Sequence, residues 1–190
     1  MPVDAIRVEK IGLRASIRDK GKSLDTEYLR FSNKRIQECL LALDEWKTAN
    51  TVLIYMSTGS EPETSRIIYT SLKEGKRVAI PRCLGSGIME AREITSINGL
   101  RPNHFGILEP DETHSPISPE ALDLIVAPCV AADKQLSRLG HGGGYFDRYL
   151  AKVRCAVVCL CREVFMVEEV PTGALDVRVS MVVTENGVYR

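Results

Sequence analysis

Apolar residues fall into short blocks separated by polar, turn-rich segments. Along Ser23–Trp46, Leu29, Ile36, Leu40 and Leu43 recur at helical spacing with charges between them, which predicts a helix. TVLIYM (Thr51–Met56) is a short apolar run of β-formers and predicts a buried strand. Glu63–Glu74 carries Ile67, Ile68 and Leu72 and stops at Gly75, a helix with its end signal. RVAIP (Arg77–Pro81) predicts a second strand, and IMEAREI (Ile88–Ile94) alternates apolar with polar, a half-exposed strand. Arg101–Pro119 is rich in Pro, Asp and Ser and reads as one long loop. LDLIVAP (Leu122–Pro128) is another buried strand, and FDRYLAKV after a glycine-rich stretch is helical. CAVVCLC (Cys155–Cys161) and VSMVVTENG (Val179–Gly187) complete the strands, the latter ending in a turn. Helix and strand alternate, so the expected architecture is a single α/β domain over residues 1–190, three layers deep (α/β/α), with a mainly parallel sheet.

Composition narrows the function. The chain has 190 residues, 44% of them hydrophobic, and equal numbers of basic and acidic residues, 25 each. A zero net charge argues against a nucleic-acid partner. The longest apolar runs are too short for a membrane span. The start, MPVDAIRVEK, lacks the basic-then-apolar order of a secretory signal, so a cytoplasmic protein is expected. The six cysteines form no C-x-x-C pair, and no histidine stands at zinc-finger spacing from them. They read as buried, reduced thiols, with Cys155, Cys159 and Cys161 on one side of a strand.

The most unusual segment is RLGHGGGYFDR (Arg138–Arg148), with four glycines. It leads from the strand ending at Pro128 towards the helix at Phe146. Such a loop can aim backbone N–H groups at an anion. Arg138 and Arg148 can add fixed positive charge, and Asp147 can hold magnesium beside phosphate. The spacing matches neither the Rossmann fingerprint nor the P-loop. From the residues alone, phosphate binding and a plain tight loop stand level.

The longer string IVAPCVAADKQLSRLGHGGGYFDRYL resembles the hallmark stretch of the 5-formyltetrahydrofolate cyclo-ligase family. KIGLR (Lys10–Arg14), YMSTGSEPET (Tyr55–Thr64), GKRVAIPRC, FGILEP (Phe105–Pro110) and VPTGALDVRVSMVVTENGV continue the likeness in order. The resemblance implies an α/β/α fold related to the ribose-phosphate isomerase and CoA-transferase architecture. It also implies ATP- and Mg2+-dependent conversion of 5-formyltetrahydrofolate to 5,10-methenyltetrahydrofolate. ATP and a reduced folate are then the small-molecule partners, and a monomer is expected.

The same resemblance assigns roles. Lys10, Arg14 and the loop Arg138, Leu139, Gly140, His141, Gly142, Gly143, Gly144, Tyr145 and Phe146 would bind ATP. Met56, Glu61 and the stretch His141, Gly142, Gly143, Gly144 and Tyr145 would contact the folate. Asp147 and Asp176 would hold magnesium. No residue is assigned acid–base chemistry, because the family's reaction is driven by phosphorylation of the formyl oxygen. Two departures stand out: Ala132 in place of phenylalanine and Leu136 in place of glycine. A missing glycine is expected to reshape the loop, and a non-catalytic folate- or nucleotide-binding relative is the other class these residues allow.

Overall fold

The computed structural model describes residues 3–190. Helix α1 spans Val3–Lys22, α2 Thr26–Ala42 and α3 Asp44–Thr48. Strand β1 (Thr51–Ile54) leads to α4 (Ser65–Lys73), and β2 (Arg77–Gly85) turns back as β3 (Ile88–Ile94). Short pairs follow: β4 (Arg101–Pro102), β5 (Leu108–Glu109) and β6 (Pro116–Ile117). Then come β7 (Leu124–Ala127), β8 (Ala131–Ala132), β9 (Arg138–Leu139), α5 (Tyr145–Leu150), β10 (Ala156–Leu160), β11 (Met181–Thr184) and β12 (Gly187–Tyr189).

Eight strands form one sheet in the order β12-β11-β10-β7-β1-β2-β3-β6. The five central strands, β11 to β2, run parallel, and the edges close with antiparallel pairs. Strands buried on both faces read as unbroken apolar runs. Here β1, β7 and β11 are buried at every position. Alternate side chains serve two cores. Val52, Ile54, Val78, Ile80, Leu124 and Val126 pack under α2, α3 and α4 through Ile36, Leu40, Trp46, Ile67 and Ile68. Leu53, Ala79, Ile125, Val157 and Cys159 pack on the other face with Ile17 of α1, Leu139 of β9, and Tyr149 and Leu150 of α5. The expected three-layer fold with a mainly parallel sheet is therefore the fold observed.

Three local expectations change. The helix expected over Ser23–Trp46 is two helices, because Leu43 is extended (ψ 139°) and its amide turns back to the Leu40 carbonyl. Asp25 caps the first, its side chain accepting from the Tyr28 amide. Arg101–Pro119 is not one irregular loop. Its backbone pairs locally in β4 with β5, and β6 pairs with the edge strand β3. The tail is a hairpin: Val182 and Val183 of β11 face Tyr189 and Val188 of β12.

Cys129, Cys159 and Cys161 are buried and reduced, while Cys39, Cys83 and Cys155 are only partly covered. Cys155, Cys159 and Cys161 share one face of the sheet, as strand alternation predicts. No helix among the described residues is long and apolar enough to cross a membrane.

Candidate functional site

Helix α1 and the loop after β9 together form the centre of the site. Lys10 and Arg14 lie one helical turn apart on α1, and Ile17, one turn beyond, anchors that helix in the core. Lys10 Nζ donates to both carboxylate oxygens of Asp176 at 2.5 Å. Arg14 Nε donates to the Gly140 carbonyl at 2.8 Å. The Arg14 guanidinium also lies against Gly142, whose φ is +104°, within 3.5 Å of where a Cβ would stand. The positive φ is what calls for glycine there; a Cβ would meet Arg14 only at ordinary contact distance. Burial lowers the Arg14 pKa from its ordinary value, and the nearby charges of Asp176 and Asp147 oppose that shift.

The two aspartates are fixed from different sides. Asp147 lies in the first turn of α5, and its Oδ1 accepts from Arg138 Nη2 at 2.8 Å and from the Val177 amide at 3.3 Å. Asp176 follows a turn and its Oδ2 accepts from the Gly173 amide at 2.5 Å. A pocket of about 180 Å³ opens beside them, lined by Ser137, Arg138, Thr172, Gly173, Asp176, Val177 and Arg178.

Arg138 and Leu139 are not loop residues. They form β9, paired with Ala131 and Ala132 of β8, and both are buried. The Arg138 guanidinium is spent on Asp147, and its Nε has no partner among the described residues. Arg148 donates through Nη1 to the carbonyls of Gly143 (3.0 Å) and Gly87 (3.3 Å), so it ties the glycine loop to the tip of the β2–β3 hairpin. His141, Gly142 and Gly143 form the exposed rim between the half-buried Gly140 and Gly144, and Tyr145 and Phe146, half-buried, begin α5.

Glu61 joins this loop from another direction. It lies between β1 and α4, in a segment that Pro62 keeps out of the helix. Its Oε2 accepts from the Thr58 amide (2.7 Å) and hydroxyl (3.1 Å). Its Oε1 faces His141 Nε2 at 2.8 Å. Met56, in the same segment, packs against the core on the α2–α4 face. The structure thus brings Lys10, Arg14, Asp147 and Asp176 together, and links Glu61 to them through His141. Met56 stands apart from both contacts.

The turn between β8 and β9 is built by Asp133, whose carboxylate accepts from the amides of Ser137 (2.9 Å) and Val170 (2.8 Å). Leu136 sits in this turn at φ +66°. That is the left-handed region where glycine is ordinarily found. The Leu136 carbonyl accepts from the Val179 amide at 3.0 Å, and its side chain packs on the core. Ala132 is fully buried and bridges to Met166.

The 5-formyltetrahydrofolate cyclo-ligase family model matches residues 6–185. The chain belongs to that family. It is 32% identical to a probable 5-formyltetrahydrofolate cyclo-ligase of Schizosaccharomyces pombe, covering 96% of this chain and 98% of the other. It is 28% identical to the mouse 5-formyltetrahydrofolate cyclo-ligase, with 98% of each covered. A solved Aquifex aeolicus 5,10-methenyltetrahydrofolate synthetase superposes with a TM-score of 0.84 at 31% identity, covering 95% of this chain and 92% of that one. The enzyme class expected from the sequence, a cyclo-ligase, is the one these relatives carry.

Among the described residues no cluster of three or more His, Cys, Asp or Glu side chains is placed to hold a metal. Magnesium needs no such cluster: it takes one or two carboxylates and completes its shell with phosphate oxygens and water. Asp147 and Asp176 each keep about a fifth of the side chain exposed, the first paired with Arg138 and the second with Lys10.

Proposed function

We propose that this cyclo-ligase closes 5-formyltetrahydrofolate to 5,10-methenyltetrahydrofolate at the expense of ATP, with magnesium. The γ-phosphoryl group passes to the formyl oxygen as its bond to ADP breaks. N10 then attacks the activated carbon and phosphate leaves with that oxygen. An amide-like oxygen is a poor leaving group until phosphorylated, and positioning with charge neutralisation carries such transfers.

The observation that carries this reading is one constellation: Lys10 and Arg14 on α1, facing Asp176 and the glycine loop, with Glu61 held to the same loop through His141. In it Lys10 and Arg14 supply positive charge for the triphosphate, and the glycine loop supplies backbone N–H groups. Asp147 and Asp176 would hold magnesium, which when bound offsets the charge on the phosphate oxygens. Glu61 orients the folate from the opposite wall, with Tyr145 as an aromatic face and Met56 as an apolar contact. Arg138 acts from beneath by fixing Asp147, and Leu139 anchors the loop in the core. The small-molecule partners are ATP and the reduced folate, the chain acts as a monomer, and the proposed compartment is the cytoplasm.

Purified protein mixed with 5-formyltetrahydrofolate, ATP and magnesium should produce the methenyl absorbance. Appearance of that signal without ATP, or silence with all three present, would remove the proposal.

A further inference from the structure

Arg162, just past β10, is 1% exposed, a full-length charged side chain sealed inside the molecule. Its guanidinium meets no carboxylate within ion-pair distance among the described residues. Taking a charge out of water without a direct counterion is costly, so its hydrogen bonds bear the burden. Nε donates to the Ser60 carbonyl at 2.8 Å, and Nη2 donates to the Glu61 carbonyl at 2.9 Å. The other arms reach α2: Nη2 to Asn33 Oδ1 at 2.9 Å, and Nη1 to Ser32 Oγ. Asn33 Oδ1 also accepts from the Glu63 amide at 3.1 Å.

These bonds fix Glu61 at both ends. Arg162 takes its main-chain oxygen, and Thr58 takes its carboxylate. Only a rigid planar fork spans two successive carbonyls and a neighbouring helix at once; a lysine ammonium presents its donors from a single point. We propose that Arg162 is a positioning residue that sets the reach of Glu61 towards the folate, acting through the main chain at Ser60 and Glu61 without touching substrate. The inference rests on the assignment of Glu61 to the folate.

The test compares Arg162→Lys, Glu61→Gln and the double variant with the parent enzyme. KM for 5-formyltetrahydrofolate should rise about tenfold in Arg162→Lys while KM for ATP stays within about twofold, and the double variant should be no worse than Glu61→Gln alone. The NMR signals of the Thr58 amide and the His141 ring should move in Arg162→Lys, a readout independent of turnover. If Arg162→Lys does not fold, Asn33→Ala, which removes one arm, should show the same pattern more weakly. Equal rises in both KM values, additive effects in the double variant, or unmoved Thr58 and His141 signals would each overturn the proposal. A Glu61→Gln variant with unchanged folate KM would instead overturn the folate assignment, and the NMR signals would still judge Arg162.

Discussion

Lys10 Nζ and the carboxylate of Asp176 stand 2.5 Å apart although 166 residues separate them. Both side chains are about four-fifths covered, so the pair is only partly screened by solvent. Lys10→Met should weaken binding of a non-hydrolysable ATP analogue by roughly ten- to a hundredfold, the worth of one charge-assisted contact. Affinity for the folate should not change. Calorimetric titration of each ligand checks this, and an unaltered affinity for the nucleotide analogue would refute the role given to Lys10.

Asp147 has a structural duty besides the metal ligation proposed for it. It is the partner of the Arg138 guanidinium, whose side chain is 1% exposed. Asp147→Ala strands that charge and should lower stability by about 1–3 kcal/mol as well as suppressing turnover. Asp147→Asn keeps an oxygen for Arg138, so it should restore most of the thermal midpoint and little of the activity. Melting curves and rates on the same samples separate the two duties.

The two glycines Gly87 and Gly75 both adopt positive φ, +75° and +80°. A Cβ on Gly87 would stand 1.7 Å from Arg148 Nη1 and 2.9 Å from the Gly143 carbonyl, whereas nothing lies within 4 Å of one on Gly75. Gly75→Ala should therefore cost only the backbone strain, about 1 kcal/mol. Gly87→Ala should cost about 2–4 kcal/mol and loosen the glycine loop, because strain and overpacking add. Urea denaturation of both variants, with nucleotide titrations, gives the comparison.

Burial, then a hydrogen bond to Glu109, pushes the Cys83 thiol up to about 12. Cys159 is raised well above its ordinary value by the adjoining Cys129 thiol and by burial. A group whose folded pKa is raised stabilises fully below its unfolded value, and that stability is lost as pH rises through the folded value. Stability should thus hold level to about pH 9, near the ordinary thiol value, and decline from there towards pH 12. Native-state alkylation at pH 8 should be slow at Cys83 and Cys159 and complete on denaturation. Fast modification in the folded protein would contradict the burial of Cys159 and the raised pKa of Cys83.

Much of the sheet is legible because β1, β7 and β10 are short β-branched runs buried on both faces, a pattern that needs no partner to be read. Helix α1 is not legible in the same way. Val8 and Ile11 are exposed on it, so apolar spacing does not mark a single buried face. The break at Leu43 escapes detection because leucine continues the helical period while its backbone leaves it. In the site, glycines and charges announce a ligand loop, but basic residues beside glycine read as phosphate ligands wherever they point. Arg138 is turned inward by β9, and Arg148 is occupied by carbonyls. Arg162 follows an apolar strand and carries no local motif, since its partners Ser32, Asn33, Ser60 and Glu61 meet it only in three dimensions.

The contacts of α1 with Gly140 and Asp176 span 126 and 166 positions of the polypeptide. The chain must therefore be made as far as Asp176 before the cleft has two walls. Long-range closures of this sort are slow relative to local pairing. Docking of α1 against Asp176 is thus a long-range closure, and the cleft exists only once it has formed.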